Sequence, residues 1–225
     1  NDAIYRQSEL KEYIEMWCHE VKTPVATSQM IIENNLNPVN ESIKEELIKI
    51  DNYVEQVLFY ARSENVEKDY LIKDVKLSEL VNSVIKRNKK DLINKHVKIE
   101  LENLEIAVAS DKKWLEFILN QIINNAIKYV DETPIIKLFA KQYKDRVELM
   151  IKDNGIGILE NELNRVFDKG FTGTTGRTKQ KSTGIGLYLC KKLCYRLNHE
   201  IKIDSNSHGT VVTLVFPYSS HITLQ

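Results

Sequence analysis

The sequence contains no uninterrupted apolar run of about 18 residues, the length a membrane-spanning helix needs, and its first residues show no basic stretch leading into an apolar one as a secretory signal would. It also lacks a charge imbalance. With 32 basic against 32 acidic residues the formal net charge is +0, so no overall field attracts nucleic acid or an anionic membrane, and any phosphate-binding site must be local. Cysteine is scarce: Cys18, Cys190 and Cys194 cannot all pair internally and lack zinc-ligand spacing, which suits a reducing cytosol. Cys190 and Cys194, one helical turn apart, read as small core residues rather than a redox pair. There is no internal repeat, no low-complexity tract, and neither a Walker A loop nor a GxGxxG fingerprint. The chain begins at Asn1 rather than Met, so an upstream segment is expected to have been cut away. What is present, 42% hydrophobic and 28% charged residues over 225 positions, suffices for a small helical domain followed by a medium one with its own core.

Residues 1 to 35 read as one long helix, with Ile4, Ile14, Trp17, Val21 and Val25 close to a 3.6-residue repeat and Trp17 as a core anchor. Asn34 to Asn40 is a loop around Pro38, and Glu41 to Ser63 is a second helix with Ile43, Leu47, Ile50, Val54, Val57, Leu58 and Ala61 on one side. Two such helices form an antiparallel hairpin whose apolar stripe is too large to stay wet, which predicts a homodimer completing a four-helix bundle. The charged stretch Glu64 to Asp69 marks a linker, placing domains at 1–66 and 67–225. Beyond it strands and helices alternate: a strand over Tyr70–Val75, a helix capped by Ser78 and running to Ile93, strands over Val97–Leu101 and Ile106–Ala109, and a helix from Asp111 to Tyr129. Ile135–Gln142 and Arg146–Lys152 read as a hairpin turned at Lys144-Asp145, Gly184–Leu197 as a helix, and Glu200–Asp204 with Thr210–Phe216 as a closing hairpin. The sum is an α+β sandwich with a largely antiparallel mixed sheet. His96, His199, His208 and His221 read as surface or turn residues.

Five stretches carry chemistry. Trp17-Cys18-His19-Glu20-Val21-Lys22-Thr23-Pro24 places an imidazole on a helix face with Thr23 one turn on, Glu20 adjoining, and a kink expected at Pro24. Gln121, Asn125, Lys128 and Tyr129 fall on adjoining faces at the end of a long helix, where amide oxygens suit a hard cation and the lysine phosphate oxygens. Asp153-Asn154-Gly155-Ile156-Gly157 follows a strand, so backbone can pass close to a ligand while the carboxylate accepts from an amine. Ser182-Thr183-Gly184-Ile185-Gly186-Leu187 opens a helix with free N–H groups suited to phosphate. Between the last two, Asp168 to Thr183 lacks periodicity and carries Lys169, Arg177 and Lys181, the composition of a cationic lid.

Taken in chain order, with the lid before the Ser182 stretch, these stretches resemble the H, N, G1, F and G2 boxes of sensor histidine kinases, whose catalytic domain has the Bergerat-type ATP fold shared with the gyrase and Hsp90 group. The wording of Trp17–Pro24 and of Ser182–Leu189 is most similar to the short intramembrane-sensing kinases of Firmicutes linked to cell-envelope stress and antimicrobial peptides. The resemblance implies His19 as phospho-acceptor, Glu20 as its base or orienting group, and Thr23 as the residue that orients water for dephosphorylating the partner. It implies ATP as phosphoryl donor with Mg²⁺ held by Asn125, Gln121 standing where many relatives have asparagine. Lys128 would touch phosphate, Tyr129 the adenosine part and Asp153 the adenine amine, with Gly155 and Gly157 passing under the base. Thr183, Gly184, Gly186 and Leu187 would line the phosphate end under lid cations Lys169 and Arg177. The implied partners are a second copy of the chain, a response-regulator receiver domain and, through the missing part, a membrane transporter, with no nucleic acid. The implied location is the cytoplasmic portion of a bacterial cell-membrane protein. An ATPase or serine kinase of the same fold with a purely structural hairpin, and a non-enzymatic scaffold, are the alternatives.

Overall fold

The structure is a computed structural model in which residues 2–34, 38–64, 70–130, 132–174 and 183–218 are described. It divides into two compact units, Asn1–Asp69 and Tyr70–Gln225, so the division falls three residues beyond the expected one, past a linker that lies mostly outside the described residues. No helix among the described residues is long and apolar enough to cross a membrane.

The first unit is a hairpin of α1 (Asp2–Glu33) and α2 (Pro38–Glu64). Pro38 is not a loop residue but opens α2, where its missing N–H costs nothing and its fixed φ suits the helix. The contact between the helices is built on Cys18, Val54 and Leu58, with Ile14 and Val21 against them. Trp17 is not the anchor: it is 45% exposed while Cys18 is fully buried, its thiol directed at the Val54 carbonyl. The apolar arc of α2 is wider than α1 can cover. Val54, Leu58 and Ala61 are buried, whereas Ile43, Ile50, Tyr53 and Val57 stay exposed on the adjoining side.

In the second unit, strand β1 (Lys73–Lys76) pairs antiparallel with β3 (Ala107–Ser110) as a separate ribbon. The main sheet has the order β2-β4-β5-β7-β6, with β2 (Lys98–Glu102), β4 (Ile135–Gln142), β5 (Arg146–Asp153), β6 (Glu200–Asn206) and β7 (Gly209–Pro217). Only β2 and β4 are parallel. Alternation sends Ile136, Leu138, Val147, Leu149, Ile151, Val212 and Leu214 to one face, where they are buried against helices. Those helices are α3 (Leu77–Arg87) and α5 (Lys112–Lys128), together with the helix over Gly186–Arg196. The expected α+β sandwich is therefore the architecture of this unit.

Three expectations need correction. The helix expected over 78–93 starts at Leu77 and breaks into α3 and α4 (Lys89–Asn94). Ser78 makes no cap because the first amides of α3 are satisfied elsewhere, Leu77 N–H donating to Ile106 O at 2.9 Å and Ser78 N–H to Leu104 O at 3.0 Å. The break falls at buried Asn88, whose side chain donates to Val84 O and to Asn120 Oδ1, both at 2.8 Å, tying the corner to α5. His199 is no surface residue either. Its Nε2 lies 2.8 Å from Ser110 Oγ, Phe216 meets its ring edge-on, and Nδ1 is buried with no hydrogen-bond partner. Burial pushes its pKa down to about 4. His96 and His208 do sit in turns, and His221 lies outside the described residues.

Candidate functional site

The site grows from the end of β5. Asp153 continues the inward row Val147, Leu149, Ile151, and pairs across the sheet with Thr210 of β7, itself opposite Ser205 of β6. Three polar residues thus replace the apolar ones at one edge of the helix-facing side. Asp153 Oδ1 accepts from Gly155 N–H at 2.9 Å and from Thr210 N–H at 3.3 Å, which commits that oxygen to the turn. Burial raises its pKa against the pull of those donors.

The turn after Asp153 is stapled on several sides. Asn154 Oδ1 accepts from Ile135 N–H at 2.7 Å and its Nδ2 donates to Thr133 O at 2.8 Å. Gly155 lies flat on the end of α5: a Cβ there would stand 2.3 Å from Tyr129 O, which accepts from Ile156 N–H at 3.2 Å. Gly157 has φ +68, and a Cβ would stand 1.8 Å from Asn206 O. Ser205 Oγ accepts from Ile158 N–H at 2.9 Å. Only glycine allows both the handedness and the approach.

Helix α5 begins with Asp111, whose Oδ1 accepts from Trp114 N–H at 2.9 Å, and carries Gln121, Asn125 and Lys128 half-buried near its other end. Lys95 Nζ donates to Ile127 O at 2.7 Å, capping that end with a cation. The Lys128 ammonium lies 5.3 Å from the Tyr129 ring centroid, its pKa lowered by burial and then by Lys95. An anion beside Lys128 would relieve both effects. Beyond the short helix α6 (Glu160–Leu163) comes α7 (Gly186–Arg196), which Gln121 meets: a Cβ on Gly186 would stand 2.8 Å from Gln121 Oε1.

Gly184, before α7, has φ +65, and a Cβ there would lie 2.4 Å from Gly170 C and 2.5 Å from Phe171 O. Its carbonyl accepts from Gly170 N–H at 3.0 Å, while Ile185 N–H donates to Thr183 Oγ1 at 3.4 Å. Leu187 is half-buried in the first turn of α7, and Lys169 is exposed. Arg177, Lys181 and Ser182 lie outside the described residues.

Four separated stretches therefore form one site, Tyr129 touching Gly155, Gln121 touching Gly186 and Gly184 touching Gly170. The start of α7, a half-buried lysine, glycines without room for a Cβ and the Asp153 carboxylate are groups that suit a purine nucleotide. Among the described residues no group of three or more His, Cys, Asp or Glu could hold a metal. The amide oxygens of Asn125 and Gln121 suit a Mg²⁺ ion that brings phosphate oxygens as its other ligands. Sequence reasoning missed Thr210, Ser205 and Lys95, and gave no role to Asn154 inside the stretch that it named; the first two were signalled by polar residues at inward positions of otherwise apolar alternating strands.

In the first unit, His19 and Glu20 are exposed on α1, and Thr23 Oγ1 donates to His19 O at 3.2 Å. Thr27 repeats the bond to Thr23 O at 3.0 Å. The helix continues through Pro24.

Residues 110–220 match the family described as histidine kinase-, DNA gyrase B- and HSP90-like ATPase. The chain is 38% identical over 207 residues to the sensor histidine kinase YxdK of Bacillus subtilis, covering 91% of this chain and 64% of that protein. It is 36% identical over 210 residues to the sensor protein BceS of the same organism, covering 92% and 62%. The chain thus spans less than two thirds of either relative. Among solved structures, full-length ShkA in complex with AMPPNP shares the fold at a TM-score of 0.70 with 19% identity, over 92% of this chain and 45% of that one. The chain is thus similar to sensor histidine kinases over nearly all of its length, and residues 110–220 match the ATPase-like family.

Proposed function

We propose that this chain transfers the γ-phosphoryl group of ATP to His19 and then to an aspartate on the receiver domain of a response regulator. The observation that carries the reading is the convergence of α5, the Asp153 turn and the start of α7 on one cradle, in a chain that also presents an exposed histidine on a helical hairpin. Asp153 Oδ2 accepts the adenine amine, Gly155 and Gly157 pass beneath the base, and Tyr129 contacts the adenosine part. Lys128, Lys169, Arg177 and the amides around Thr183, Gly184, Gly186 and Leu187 hold the phosphates. Asn125 with Gln121 would hold Mg²⁺, which when bound would supply charge neutralisation at the phosphoryl groups.

In the transfer, an unprotonated ring nitrogen of His19 forms the N–P bond as the P–O bond to ADP breaks, and Glu20 orients the ring or takes its proton. The protein mostly positions donor and acceptor. The phosphohistidine then gives its group to the regulator carboxylate. In the reverse role, Thr23 orients water for hydrolysis of the phospho-regulator, which requires its hydroxyl to exchange the bond to His19 O for one to water.

The first unit serves dimerisation and phosphotransfer and the second binds ATP. The exposed row Ile43, Ile50, Val57 is the face a second copy covers. The whole protein is a cell-membrane sensor of envelope stress and antimicrobial peptides, coupled to a transporter through the part not in this chain. The similarity to YxdK, named a sensor histidine kinase, and to BceS, named a sensor protein, over nearly all of this chain supports the sensor part of that reading.

The test is incubation with labelled ATP and Mg²⁺ followed by acid or alkali. Label that survives alkali, is lost in acid and is missing from His19→Gln is expected. Label retained by His19→Gln would favour an ATPase or serine kinase with a structural hairpin. Unchanged dephosphorylation of the regulator by Thr23→Ala would remove the phosphatase role.

A further inference from the structure

The backbone over 170–173 belongs to neither sheet nor helix, yet Gly184 rests on Gly170 and Phe171. Four contacts fix it. Gly170 N–H donates to Gly184 O at 3.0 Å and Phe171 N–H to Asp168 O at 3.1 Å. The Arg165 guanidinium stands 4.6 Å from the Phe171 ring centroid, a stacking contact of a cation on an aromatic face. The remaining contact comes from helix α6 (Glu160–Leu163): Glu162 Oε1 accepts from Thr174 N–H at 2.8 Å and from Thr174 Oγ1 at 2.6 Å. One carboxylate oxygen thus takes both donors of a single residue, which fixes backbone and side chain together.

We infer that Glu162 is a positioning residue for the phosphate-binding turn: by fastening Thr174 to α6 it holds the 170–174 backbone on which Gly184 is seated. The coupling is steric as well as hydrogen-bonded. Gly184 sits at φ +65 with no room for a Cβ between it and Gly170 or Phe171, so a shift of that backbone shifts the turn. Gly173 leaves the carboxylate its place, since a Cβ there would stand 2.7 Å from Glu162 Oε2. Glu162 itself acts through Thr174. Its function is to supply an acceptor oxygen, so an amide oxygen at the same position should serve.

This rests on the reading of Gly184 as a phosphate seat, and two readouts separate them. Calorimetric titration of the full chain with a non-hydrolysable ATP analogue and Mg²⁺ should show Glu162→Ala binding about tenfold more weakly. Glu162→Gln should stay within about twofold of the parent and Thr174→Val fall between, because one of its two donors remains. The rate of His19 labelling at saturating ATP should hardly change. Amide hydrogen exchange should show faster exchange at Gly170 in Glu162→Ala and not in Glu162→Gln, whether or not nucleotide binds. Failure of the parent chain to bind the analogue would sink the nucleotide reading, and exchange at Gly170 would still decide the positioning role. Unchanged Gly170 exchange in Glu162→Ala, or equal weakening in Gln and Ala, would overturn the inference.

Discussion

Asp153→Asn separates a ligand-reading role from a structural one. In the native turn Oδ1 is committed to Gly155 and Thr210 N–H groups, and the amide oxygen of asparagine can accept both. Burial disfavours the charge, as the raised pKa records, so the native state is not harmed by its removal. The loss of charge-assisted bonds and the relief of desolvation oppose each other, and stability should change by no more than about 0.5 kcal/mol. The other atom behaves differently. Oδ2, the acceptor for the adenine amine in the proposed function, becomes an NH₂ group, and that amine then meets a donor. A buried donor against a donor costs about 3 kcal/mol, or on the order of 100-fold in affinity. Differential scanning calorimetry and nucleotide titration on the same preparation should therefore diverge, with the melting temperature held and the binding lost. ATP binding by Asp153→Asn within threefold of the parent would refute the assignment; a large drop in melting temperature would show that Asp153 serves the turn.

Gly157→Ala should lose nucleotide binding and about 3 kcal/mol of stability, because a left-handed φ and an overlap with Asn206 O act together, whereas Gly170→Ala at φ +77, with nothing near its Cβ, should lose only about 1 kcal/mol in urea unfolding. His199, neutral in the fold at a pKa of about 4 against an ordinary 6.5, binds its proton first in the unfolded chain, so stability should fall by about 3 kcal/mol as pH drops through that window. Denaturant curves should show that part of the fall missing from His199→Gln. Val57→Asp and Ile50→Asp should convert a dimer of the full chain to monomer in sedimentation; a parent chain already monomeric would contradict the uncovered-face argument.

Elements whose determinants are local were readable from the sequence. Asp111 caps α5 through its own side chain, three residues from the amide it satisfies, so sequence spacing sufficed. The hairpin turned at Lys144-Asp145 likewise follows from alternation on each side. The errors fall where a distant residue decides. Ser78 carries a capping side chain, but Ile106 and Leu104 carbonyls reach the helix start first. Asn88 breaks a helix that periodicity would continue because Asn120, on another helix, takes its amide. Trp17 and Cys18 are neighbours, and the repeat alone could not tell which one α2 would cover; α2 covers Cys18, whose thiol is directed at the Val54 carbonyl.

The candidate site follows the same rule with a difference that a sequence reader can use. On β5, β6 and β7 the inward positions run apolar until the last, where Asp153, Ser205 and Thr210 stand. A polar residue that breaks an inward row costs burial energy unless something pairs with it, and these three pair with one another's strands: Thr210 N–H reaches Asp153, and Ser205 Oγ lies 2.9 Å from Thr210 Oγ1. Asp153 was noticed because glycines follow it. No glycine directly follows Thr210 or Ser205, and their violation of the pattern becomes visible only when the strands are set in register. One hydrophobic face ends where the ligand's polar edge begins, so the break in alternation marks the floor of the site even where no motif does.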